Sequence, residues 1–193
     1  RPVSSRNLAN DVDDNVVDAL VESVNGRNED LSHRYYTFKS GWMGKKQIDW
    51  WDRNAPLPGD NDRQYSWTDA QEIVLDAFSA FDSDMAEIAK PFFDQNWIDA
   101  APRAGKSSGA FSHPVVPSAH PYILMNFAGK SRDVMTLAHE MGHGIHQVLA
   151  AEQGYLMSDT PLTLAETASV FAEMLAFRRL VDNESDANVR RLL

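Results

Sequence analysis

"LAHEMGHGIHQ", residues 137–147, places three histidines and one glutamate within eight positions. On an α-helix, side chains four apart lie on one face with their Cβ atoms about 5–6 Å apart. His139 and His143 are so spaced and can offer two imidazoles to one zinc ion. Glu140 stands beside them and can act as general base on a zinc-bound water, which makes the pattern H-E-x-x-H. Leu137, Met141, Ile145 and Val148 give the same stretch an apolar face, so it reads as an amphipathic, partly buried helix.

Two histidines leave a catalytic zinc site short of its usual three protein ligands and a water. An extended pattern, H-E-x-x-H-x-x-G-x-x-H, would supply a third histidine from the same segment. Here its glycine position holds His146 and its last position Leu149, which excludes that class. The third ligand is then expected to be a carboxylate from the following helix, which offers Glu166 and Glu173. Glu152 lies nine residues beyond His143, and that spacing turns it to the opposite side of the helix. Glu166 and Glu173 are seven apart, on one face but about 10 Å apart along the axis. Periodicity does not choose between them, and antiparallel depth matches Glu173 if either.

Outward from this centre, the spacing predicts helices over 133–152 and 161–181, with Gly154 ending the first and Thr160–Pro161 opening the second. Upstream, "RAGKSSGAFSHPVVPSAHPYILMNFAG" reads as loop with short extended runs at Gly109–Ser112 and Tyr122–Phe127. His113 and His120 bracket its proline-rich turn and are expected at the surface. "SWTDAQEIVLDAFSAFDSDMAEIAKPFFDQNW" reads as one long helix capped by Thr68 or Ser66 and kinked or ended at Pro91. Val16, Val17, Leu20, Val21 and Val24 recur at helical spacing with Gly26 as the stop, and a second helix is expected over Leu31–Trp42. The connector "IDWWDRNAPLPGD", with Pro56, Pro58 and Gly59, marks a boundary between a helical lead-in over 1–56 and a zinc-binding core over 57–193. The five tryptophans, Trp42, Trp50, Trp51, Trp67 and Trp97, are expected to be packing residues. The fold class is mainly α with one small β-sheet.

Composition narrows the partners. A formal net charge of −10 argues against nucleic acid and anionic membrane surfaces. No stretch reaches the roughly 18 apolar residues of a membrane span. Cysteine is absent, which excludes a disulfide framework and a thiolate metal site and fits a cytoplasmic location. The first residue is Arg1 rather than methionine, so the native start is expected upstream.

The sequence resembles the oligoendopeptidase F and thimet oligopeptidase family of zinc peptidases. The resemblance is carried by "HEMGHGIHQ", by "ETASVFAEML" with its two glutamates seven apart, and by "NAPLP" and "GAFS…PYILMNF". It implies an incomplete zincin-like catalytic core, with one zinc ion per chain held by His139, His143 and Glu166. Glu140 would activate the water, and His146 and Glu173 would support the ligands. Gly109, Ala110 and Phe111 would form a strand edge to which an extended oligopeptide substrate adds, since small residues let another backbone approach. Family members continue past Leu193 into a segment of transition-state-stabilising tyrosines and a histidine. By that resemblance this chain alone is weakly active or inactive and prone to self-association. The competing reading is a catalytically silent helical domain that keeps zinc for structure or only binds peptides. A purely structural site has no need of Glu140, which favours the enzyme.

Overall fold

In the computed structural model, which describes residues 2–55, 57 and 63–190, Asp82 interrupts the expected long helix. Its backbone is extended (φ −155°, ψ 126°), and its side chain accepts from the Asp84 N–H at 2.8 Å, capping a new helix. The stretch is therefore two helices, α4 (Trp67–Phe81) and α5 (Ser83–Asp94). Of the two outcomes expected at Pro91, a kink or an end, the helix does not end there: Pro91 lies inside α5, which runs to Asp94. Ser66, rather than Thr68, caps α4: its hydroxyl accepts from the Asp69 N–H while the Asp69 carboxylate accepts from the Ser66 N–H.

The chain forms two compact units, residues 1–61 and 62–191. The first holds α1 (Val3–Ala9), α2 (Asp14–Asn28), a π-helical turn (Glu29–His33), α3 (Arg34–Trp42) and a 3-10 turn (Trp50–Asn54). Gly26 is not a stop. The helical backbone runs through it, since a glycine costs about 1 kcal/mol in a helix without terminating it, and continues by way of the π turn into α3. α2 buries none of its residues, and Val16, Leu20, Val21 and Val24 stay exposed. Trp50 and Trp51 are exposed too, edge to face with each other, so they are not core residues as expected. What fastens this unit is polar: buried Lys39 donates to the carbonyls of Arg53 (2.8 Å) and Ala55 (2.7 Å). Pro56, Pro58 and Gly59 of the expected boundary lie outside the described residues.

The second unit carries the buried apolar core, from Tyr65 to Leu180. After α4 and α5 come β1 (Ile98–Asp99), β2 (Phe111–His113), β3 (Tyr122–Leu124), α6 (Ser131–Ala150), a 3-10 turn (Ala151–Gln153), α7 (Leu162–Asn183) and α8 (Ala187–Arg190). The strands form a sheet of order β1-β3-β2, with β1 parallel and β2 antiparallel to β3. Of the two expected extended runs, β3 ends at Leu124, short of Phe127, although the Met125 and Phe127 amides still donate to the Asp99 and Ala100 carbonyls. The run expected over Gly109–Ser112 falls on Phe111–His113, because Gly109 has φ +87°. α6 lies against β2, β3, α4, α5 and, most extensively, α7. Phe78, Phe92, Ile123, Met125, Leu137 and Met141 fill the space between them without solvent exposure above 2%. Trp67 and Trp97 pack on this core. No helix among the described residues is long and apolar enough to cross a membrane.

Candidate metal centre

Two glycines bring the helices of the site together. A Cβ on Gly142 would lie 2.6 Å from the Ala168 carbonyl oxygen and 2.8 Å from the Ser169 Cα, so only glycine permits α6 and α7 to approach this closely. A Cβ on Gly144 would meet the Phe92 ring at 2.7 Å. Leu137, Met141 and Ile145 bury the inner side of α6. His139 and His143 are left on the side that faces α7.

There the two histidines meet Glu166. Their Nε2 atoms lie 3.4 Å (His139) and 3.6 Å (His143) from the same Oε2 of Glu166. All three donor atoms fall within 4.8 Å of one another. Donors each about 2.0–2.1 Å from one tetrahedral ion stand about 3.3–3.4 Å apart, close to the two distances to Glu166, so the set could close on a small divalent cation. Glu173 is not in this group. Its Oε2 stands 3.1 Å from Nδ1 of His139, the nitrogen that faces away from Glu166. This arrangement differs from the simple depth argument, which matched Glu173 to the donors.

The surroundings prepare each donor. The Ser169 hydroxyl donates to Glu166 Oε2 at 2.8 Å. Burial pushes the His143 pKa below its ordinary value, keeping a lone pair available, although Glu166 opposes the shift. The Ala165 carbonyl also favours the charged form of this ring and the neighbouring His146 disfavours it. His146 is thus beside the donor group without joining it.

Glu140 is 5% exposed, on the next turn-face from the donors. The Ser112 backbone N–H faces its carboxylate and favours the charged form, while Oε2 has no hydrogen-bond partner. Burial, helped by Glu166, pushes its carboxyl up to about 7, against the opposing pull of His139. A carboxyl near neutrality can both take and return a proton.

Ser112 belongs to β2, an edge strand of the sheet. Gly109 and Ala110 lead into β2, and Phe111, half exposed, opens it. Asn126 Nδ2 holds the lead-in by donating to the carbonyls of Ser107 (3.0 Å) and Gly109 (3.2 Å). Gly109 has φ +87° with nothing within 4 Å of a built Cβ, so its backbone conformation, not crowding, calls for glycine. His113 is exposed as expected, but His120 is stacked on Trp97, with ring centroids 3.9 Å apart, and is half-buried. A cavity of about 770 Å³ continues beyond β2, lined by His113, Val115, His120, Gln147 and Tyr155 among others. Sequence reasoning missed Gly142, Ser169 and Ser112. The i, i+3 spacing of Glu166 and Ser169 was a usable sign, whereas Gly142 and Ser112 act only through tertiary contact.

Residues 3–190 match the family model described as "Peptidase family M3". The chain is 30% identical over 184 residues to the chromosomal oligoendopeptidase F of Lactococcus lactis subsp. cremoris, covering 95% of this chain and 30% of that protein. It is 28% identical over 182 residues to the oligopeptidase PepF of Bacillus subtilis (strain 168), covering 94% of this chain and 27% of that one. A solved structure from Chlamydophila abortus superposes with a TM-score of 0.77 at 26% identity, covering 95% of this chain and 31% of its own. The chain thus spans under a third of the length of these relatives.

Proposed function

The chain belongs to peptidase family M3, and on that premise we propose that it is the metal-site portion of a zinc metalloendopeptidase that cleaves oligopeptides. The observation that carries the reading is the convergence of His139, His143 and Glu166 beside a buried Glu140 whose Oε2 is unpartnered. Zinc bound by these donors would supply Lewis acidity, polarising a scissile carbonyl and lowering the pKa of a water from 15.7 towards about 7.

The chain's own residues do the rest. Glu173 fixes the tautomer and orientation of His139, so that Nε2 faces Glu166. Ser169 holds the Glu166 carboxylate in the same way. Glu140, with Oε2 unpartnered, takes the proton from the attacking water and passes it to the amide nitrogen as the C–N bond breaks. The edge leading into β2, through Gly109, Ala110 and Phe111 with Ala110 facing outward, offers main-chain pairing to an extended peptide. Pairing through main chain gives loose side-chain preference and requires an unfolded substrate. We assign residues 57–193 to this core, residues 1–56 to a helical lead-in, and the cysteine-free chain to the cytoplasm.

The test is metal analysis and peptide turnover on the purified chain and on a form extended to the length of its relatives. One zinc per chain, together with hydrolysis of unstructured peptides by at least the extended form, is the expected result. Absence of zinc after purification without chelator would overturn the assignment.

A further inference from the structure

Gln147 grips strand β2 from two turns further along the helix that carries Glu140. Its Nε2 donates to the Ser112 carbonyl at 3.2 Å, and its Oε1 accepts from the Ser112 hydroxyl at 2.8 Å. The Ser112 N–H faces the Glu140 carboxylate and favours its charged form. The hydroxyl and the carbonyl of Ser112 are therefore both held by α6. In an antiparallel ladder the N–H and C=O of one residue point to the same side. Those of Ser112 point away from β3, although Ser112 is in register with Ile123 there. Ala110, two residues earlier, is the position whose main chain would face the same way.

We propose that Gln147 is a positioning residue for substrate: by clipping Ser112 to α6 it fixes the depth at which the outward main chain of Ala110, just before β2, is presented to a peptide. The proposal rests on the reading that the edge leading into β2 carries the peptide. It adds that the strand's placement depends on a side-chain clip and not on the β2–β3 ladder alone. The ladder is short, since β2 has three residues and pairs on one side. A strand of that length gains little fixity from its own hydrogen bonds. Gln147 touches neither the donor group nor the Glu140 carboxylate in the observed contacts, so its loss leaves both in place. It also lines the cavity beyond β2, at the point where a peptide following the strand would arrive.

The test uses the metal-free chain, so that no cleavage occurs, and a fluorescein-labelled unstructured oligopeptide followed by anisotropy. Gln147→Leu removes both clip bonds, and Ser112→Ala removes one. Two modest hydrogen bonds correspond to a roughly tenfold weakening of peptide affinity in Gln147→Leu, and one to about threefold in Ser112→Ala. The double variant should be no weaker than Gln147→Leu, because both changes act on one contact. Amide exchange at residues 111–113 should quicken in Gln147→Leu while zinc uptake stays unchanged and the thermal midpoint falls only by the few degrees that two lost hydrogen bonds imply. Peptide affinity in Gln147→Leu equal to that of the unsubstituted chain would overturn this proposal alone. So would a loss of affinity explained by unfolding of the chain at the assay temperature, or losses that simply add in the double variant. No peptide binding by the unsubstituted chain would overturn the substrate reading and this proposal with it.

Discussion

Nδ1 of His139 stands 3.1 Å from Oε2 of Glu173, while Nε2 of the same ring stands 3.4 Å from Glu166. One imidazole thus links two glutamates seven residues apart on α7, and their roles divide by which nitrogen each faces. A carboxylate on the far nitrogen fixes the ring and raises its basicity. Glu166→Ala should therefore abolish tight zinc binding. Glu173→Ala should weaken it by roughly 10–100-fold. Zinc affinity by competition with a chelating dye measures both, and the reverse order of effects would exchange the two roles.

Glu140→Gln should keep zinc bound and lower peptide turnover by at least the roughly 10²–10⁴-fold typical of a general acid–base residue. Turnover is to be measured in the form extended to the length of the relatives. Near-unchanged turnover with zinc retained would remove Glu140 from the mechanism.

The same residue predicts how the metal-free chain responds to pH. Its carboxyl has an ordinary value of 4.5 and is pushed to about 7 in the fold, chiefly by burial. Between these values the native state holds more protons than the unfolded one, so stability falls as pH rises. The loss begins near pH 4.5, is complete above pH 7, and is on the order of 3 kcal/mol. Glu140→Gln should flatten this part of the profile and raise the thermal midpoint of the metal-free protein at pH 8. Parallel profiles for the two proteins would show that burial of this carboxyl is not costly.

Gly142→Ala should damage the site without touching a ligand. The added methyl would fall 2.6 Å from the Ala168 carbonyl and must push α7 away from α6. Overpacking of this kind costs about 1–3 kcal/mol. The movement would separate Glu166 from both histidines, so zinc affinity should fall together with thermal stability. A variant with a lowered midpoint but full zinc affinity would show that the donors tolerate the shift.

α7 leaves Leu164, Val170, Phe171 and Met174 exposed. Contiguous apolar surface of this kind favours association in water. Sedimentation velocity across a concentration series should show reversible self-association of the chain, weakened by Phe171→Ser together with Met174→Ser. A monomer at all concentrations would count against it.

What the sequence by itself determined is local. The i, i+4 pair of His139 and His143 with Glu140 beside them follows from helical pitch, and so does the inner face of Leu137, Met141 and Ile145. The Ser66 cap and the extended run from Tyr122 were legible for the same reason, since caps and strands are written in neighbouring residues. Asp82 was not, because apolar spacing continues across it and only its extended backbone shows the break. Nor did helical spacing reveal that the valine face of α2 is left exposed, since period reports a face and not what covers it. Helical spacing left Glu166 and Glu173 open and the resemblance pointed to Glu166, while only the tertiary structure places Glu166 beside both histidines. Both share one face of α7, and their depth against α6 depends on how closely the helices approach. That distance is set by the missing side chain of Gly142 against Ala168 and Ser169, a contact between residues 26 and 27 positions apart that no local pattern contains.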